Sequence, residues 1–265
     1  MPAPAHSFKR LVIGLQMNPP GHALKFGVAF ANLLDLELLG LFVEDTHLRQ
    51  LTSLPFAREL RLLGGGWQPL EPGRLAQELE LAARRTERLF AEAARLLGTE
   101  HRFATIRGDA METIASLSRP GDILMLAEPA SAAERATQQF LSFSEAVLQS
   151  ATSVMFAPPH PQRTEGPVAV VAAAGDEKII EAAAAIAARS GEELVIVAID
   201  GRTVDVALKA RRVRIDRHAL SDPRAFARAL DGIRARLLVA AHGTLSDDVA
   251  RAIASLRQLP VLMIK

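Results

Sequence analysis

The sequence predicts an α/β protein made of two tandem units, each an open parallel five-stranded sheet with flanking helices, packed on one another as an internal pseudo-dimer. Three features of the chain point to it. Short, wholly apolar runs alternate with stretches whose apolar residues recur every three or four positions, the signature of buried strands alternating with amphipathic helices. A proline-rich break, Pro158-Pro159-His160-Pro161 through Gly166-Pro167, cannot continue a helix or a central strand. After that break the alternation starts again.

The first unit, residues 1–158, opens with the apolar run Leu11–Leu15, which ends in the breaker-rich Met17-Asn18-Pro19-Pro20-Gly21. Ala23, Phe26, Phe30, Leu33 and Leu34 then share one helical face, and Leu38–Val43 reads as the next strand. A crossover of this length makes a right-handed βαβ unit, so the loops after the strands open at one edge of the sheet. Glu44–Gly73 lacks a sustained period and contains Gly64-Gly65-Gly66, which suits an irregular excursion better than a phosphate loop. A long extra helix is expected over 74–97, with Leu75, Leu79, Leu89 and Leu96 on its apolar stripe and Gly98 stopping it. Phe103–Ile106 is a short strand, Asp109 and Glu112 have capping-box spacing, and Asp122–Ala127 and Ser153–Ala157 are strands around a helix bearing Phe140, Phe143 and Val147.

Residues 159–166 form the linker, and 167–265 repeat the pattern. Val168–Ala172 is a strand, Asp176 caps a helix that Gly191 ends, and Leu194–Ile199 is the second strand. Arg212–Ile215 is a weaker strand, Pro223 sits in the first turn of a helix, and Leu237–Ala241 and Pro260–Ile264 flank a helix over Ser246–Gln258. The first strands open at Leu11 and Val168 but the last at Val154 and Val261, so the second copy is shorter by roughly 50 residues. The deficit falls on most of Thr46–Gly98.

Composition narrows the function classes. The 265 residues are 49% hydrophobic and 23% charged, which excludes wholesale disorder. With no cysteine, the chain has no disulfide, thiolate metal site or cysteine nucleophile. A net charge of +1 and few aromatic residues argue against a nucleic-acid partner. No run of 18 apolar residues and no signal-peptide pattern occurs, so no membrane insertion is expected and the location is read as cytoplasmic.

Candidate chemistry is sparse. No histidine has metal-ligand spacing, and no metal or catalytic set is expected. His242, after a strand and near Asp247 and Asp248, is the best candidate for a general base. Ser142 and Ser144 lie where a helix start is expected and would cap it, while Glu44-Asp45 and the arginines of the long helix read as solvated.

The order of elements and the phrases Lys9-Arg10-Leu11-Val12-Ile13, Gly40-Leu41-Phe42-Val43-Glu44-Asp45 and Gly121-Asp122-Ile123-Leu124-Met125 resemble the universal stress protein family, in a tandem form. The resemblance implies an adenine-nucleotide α-hydrolase-like sheet in an ATP-binding or a non-binding version. In the binding version an Asp ends the first strand, and the fourth is followed by Gly-x-x-Gly, nine residues, then Gly-Ser or Gly-Thr. Glycines there let backbone N–H groups approach phosphate, and a helix N-terminus adds its dipole. Here Gln16 replaces the Asp, the loop Glu128-Pro129-Ala130-Ser131-Ala132-Ala133-Glu134 has no glycine, and Leu141-Ser142 replaces Gly-Ser. Gln16 for Asp forfeits about 1 kcal/mol. Pro129 lacks an N–H, Glu128 and Glu134 bring negative charge, and Arg135 is the nearest cation in sequence. In the second copy, Ala173 or Ala174 stands at the Asp position, and Ala241-His242-Gly243-Thr244 is too short for the motif.

With its phosphate motif degenerate, the resemblance implies a non-catalytic stress-response or signalling module without a cofactor. Such a module acts through a protein partner or a small ligand and is open to further homodimerisation. The alternative is an adenine-nucleotide binder, taking ATP or AMP with at most slow hydrolysis. Its pocket would be lined by Gln16, Val43, Ala127, Ser142 and Ser144.

Overall fold

The computed structural model describes residues 8–15, 21–45, 56, 58–61, 66–69, 71–199 and 210–265. Gln16 and Gly64-Gly65 lie outside them. The first half comprises β1 (Arg10–Leu15), α1 (Gly21–Leu34), β2 (Glu37–Asp45), a hairpin of β3 (Arg58–Arg61) and β4 (Gly66–Pro69), α2 (Pro72–Leu96), β5 (His101–Gly108), α3 (Ala110–Leu117), β6 (Asp122–Ala127), α4 (Ala132–Arg135), α5 (Gln138–Gln149) and β7 (Ser153–Ala157). The second comprises β8 (Val168–Ala172), α6 (Glu177–Ser190), β9 (Leu194–Ile199), β10 (Arg211–Ile215), α7 (Pro223–Ala229), β11 (Leu237–Ala241), α8 (Asp247–Arg257) and β12 (Val261–Ile264).

All these strands except the β3-β4 hairpin join one ten-stranded sheet in the order β10-β9-β8-β11-β12-β7-β6-β1-β2-β5. Read outward from the centre, each half has the same parallel order. Among the described residues, the one antiparallel pairing in that sheet is β7 with β12, where Phe156, Met155 and Val154 face Val261, Leu262 and Met263. The strands at this seam are buried throughout, so neither half presents an unpaired inner edge.

Helices cover both faces, as strands buried on two sides require. One face packs α1, α2 and α6 over Leu11, Ile13, Val168 and Val170; the other packs α3, α5, α7 and α8 over Val12, Leu124, Val154 and Val261. At the first half's N-terminal strand edge, Arg10 pairs with Asp122 at 2.5 Å, and both are buried.

Several expectations need correction. The excursion after β2 is not wholly irregular, because Arg58–Arg61 pairs antiparallel with Gly66–Pro69. The buried stripe of α2 runs through Leu79, Ala83, Thr86, Phe90 and Ala94, whereas Leu89 and Leu96 are exposed. Phe90 sets that phase by packing against His101 and Phe103. Ser142 and Ser144 do not cap α5: Thr137 is its N-cap, and both serines lie inside the helix. Between β9 and β10 the chain spans only residues 200–210, of which 210 alone is described, in place of the much longer segment between β2 and β5.

Candidate functional site

In a parallel α/β sheet the crevice for a ligand forms beyond the strand C-termini, where the strand order reverses. That point falls between β1 and β6 in the first half and between β8 and β11 in the second. Loops leave the sheet in opposite directions there, so whatever fills the gap decides whether a ligand can enter.

Among the described residues flanking the first crevice, polar groups are engaged by the chain's own side chains. The Val43 carbonyl accepts a hydrogen bond from Gln139 Nε2 at 3.0 Å. Glu128, 3% exposed, accepts from Arg251 Nε at 2.6 Å, and the Arg251 guanidinium lies 5.0 Å from the Phe140 ring centroid. Arg251 belongs to α8 of the second half, so this ion pair and cation–π contact cross the seam. Farther along the same loop, Ser131 and Glu134 close a capping box, and Arg135 donates to the Pro129 carbonyl. The amides that would meet phosphate in a glycine-rich loop begin this short helix instead.

Of the residues expected to line a pocket, the polar groups of the described ones, Val43, Ser142 and Ser144, already have hydrogen-bond partners. Ala127 is buried at the end of β6. Ser142 Oγ accepts from Gln138 Nε2 at 3.0 Å, and buried Ser144 donates to the Leu141 carbonyl at 2.9 Å. Glu44, expected to be solvated, is buried and accepts from Arg107 Nε at 2.8 Å.

The second crevice is tied in another way. Asp176 stands at the N-cap position of α6 but makes no cap hydrogen bond. Its Oδ2 accepts instead from the Ala173 amide at 2.8 Å and from the Thr244 hydroxyl at 2.7 Å. One carboxylate thus joins the loop after β8 to the loop after β11. His242, also in the loop after β11, has Nδ1 3.2 Å from Asp247 Oδ1. Its amide donates to the Ile264 carbonyl. Lys265 Nζ donates to the Leu148 and Ser150 carbonyls, and burial pushes its pKa down while Asp247 pulls it up.

Sequence reasoning singled out Glu128 and His242 but missed Gln139, Thr244 and Arg251. Arg251 carries no local signal, because its partner is 123 positions away across the seam. His22 and His160 meet edge to face at 5.5 Å, a pairing equally invisible in their spacing. Among the described residues no group of three or more His, Asp and Glu is arranged to hold a metal, and no helix is long and apolar enough to cross a membrane.

No protein-family model matches the chain, and no curated protein does. Among solved structures the same architecture occurs in a universal stress protein from Archaeoglobus fulgidus, with a TM-score of 0.63 over 98% of each chain and 13% sequence identity. At that identity the likeness shows a shared fold, that of a universal stress protein.

Proposed function

We propose that the chain is a tandem universal-stress-type protein, with units at 1–158 and 167–265 joined by 159–166, whose nucleotide crevices are filled by its own side chains. It acts without catalysis, as a stress-response or signalling module working through a protein contact or a small ligand. One observation carries this reading: among the described residues flanking the first crevice, the Val43 carbonyl is paired with Gln139 and Glu128 with Arg251. A nucleotide would have to compete with Gln139 for the Val43 carbonyl. Its phosphates would also meet a loop led by Pro129, which offers no N–H, and Arg251, the cation beside that loop, is already engaged by Glu128.

Thermal melting with ATP or AMP tests the proposal. A ligand at a hundred times its Kd stabilises the fold by about 2.7 kcal/mol, a shift of several degrees. No shift is expected at millimolar nucleotide. A shift of several degrees with either nucleotide would overturn the reading in favour of an adenine-nucleotide binder.

A further inference from the structure

A second kind of cavity lies away from both crevices. It is a cleft of about 340 Å³ between α1, the C-terminal end of α2 and the segment that joins the halves. Its volume is at the lower end of the range of small-molecule pockets. Phe26, Phe30, Ala29, Ala93 and Leu97 give it apolar walls, with the Phe26 and Phe30 rings stacked at 6.0 Å. Its charged lining residues are Lys25, Arg163 and Arg236, joined by His22, and among the described residues no Asp or Glu lines it.

The cations are not equivalent. Arg236 is already held by Glu192 at 3.1 Å, and Glu192 also accepts from the Gly166 amide. Lys25 and Arg163 are exposed and make no ion pair or hydrogen bond with the described residues. The segment carrying Arg163 is nevertheless anchored: the His160 amide donates to Gln258 Oε1 and the Gln162 amide to the Gln258 carbonyl. Two uncompensated positive charges therefore stand beside an apolar cleft whose walls are held by secondary structure and by these tethers.

We propose that this cleft binds a medium-chain aliphatic carboxylate, its hydrocarbon chain against Phe26, Ala29, Ala93 and Leu97 and its carboxylate between Lys25 and Arg163. An apolar ligand without charge would leave both cations unused, and a highly charged one would leave the apolar wall wet. Allowing roughly 30 Å³ for each water-sized group, the volume takes on the order of ten non-hydrogen atoms, the size of octanoate. This site is separate from the crevices at the strand ends, and its occupancy does not depend on how they are filled.

Isothermal titration with octanoate, hexanoate and octanol tests the proposal on the full chain. The expected result is saturable 1:1 binding of octanoate, about tenfold tighter than octanol because the carboxylate makes charge-assisted contacts. Hexanoate should bind roughly fifteenfold more weakly, since it lacks two methylenes and each contributes about a fourfold factor. The double charge reversal Lys25→Glu with Arg163→Glu should weaken octanoate at least tenfold, and Ala29→Trp, at an exposed position on the wall, should block it. Unchanged melting temperatures establish that both variants are folded. Absence of saturable octanoate binding, equal affinity for octanol, or binding that either variant leaves within twofold would overturn the proposal.

Discussion

The ion pair that crosses the seam is open to a quantitative test. Glu128 has a side chain only 4% exposed, and Arg251 Nε, 2.6 Å away, is its one charged partner among the described residues. Breaking a fully buried pair from one side costs about 3–5 kcal/mol, because the remaining charge is stranded. Arg251 is 30% exposed, so water reaches the vacated space and Arg251→Met should cost less, about 2–3 kcal/mol. Glu128→Leu leaves the arginine to solvent and should cost about 1 kcal/mol. With both replaced, apolar side chains meet across the seam and stability should return to within about 1 kcal/mol of the parent. Urea unfolding of the four proteins at matched slope would then give a coupling energy of about 2–4 kcal/mol. Single losses that add within about 0.5 kcal/mol, or an Arg251→Met variant as stable as the parent, would mean that the two side chains do not act as a pair.

Three further outcomes can be checked. Gly14→Ala would place a Cβ 2.1 Å from Phe143 Cε1, so the ring must shift; about 1–3 kcal/mol of stability should be lost by thermal melting, with partial rescue by Phe143→Leu. Gly166→Ala combines a φ of +125° with a Cβ 2.6 Å from the Arg234 carbonyl oxygen, backbone that cannot give way as a side chain can, and should cost about 2–3 kcal/mol in the same assay. Lys265 should titrate below 10.5 by NMR, chiefly from burial, and Asp247→Asn should lower it further by removing the attraction that opposes that shift. Because the unfolded chain holds this proton more tightly than the folded one, the Lys265 contribution to stability rises with pH from its lowered pKa up to the ordinary value. A midpoint at or above 10.5 would contradict this account.

The alternation of strands and helices is written locally, in runs such as Asp122–Ala127 and Leu194–Ile199, because a strand buried on both faces must be apolar throughout. The breaker segment from Pro158 to Pro167 and the restart at Val168 are equally legible, since proline and glycine act on their own backbone. The shorter second half can be read from the strand spacing alone. So can the absence of glycine from Glu128–Glu134, which is a property of residue types and not of their neighbours.

What depends on distance in space had to come from the packed molecule. Leu89 and Leu96 satisfy a helical period, yet the turn of α2 is set by Phe90 finding His101 and Phe103, and only packing can choose between two adjacent apolar stripes. Asp176 sits where a cap residue belongs, but Thr244 competes for its carboxylate across the crevice. Arg251 reaches Glu128 only because β7 and β12 pair antiparallel and bring α8 over the first half's strand ends. Composition and period act over a few neighbouring residues, whereas the contacts at the crevices join residues far apart in sequence: Gln139 with Val43, Thr244 with Asp176, and Arg251 with Glu128 across the seam.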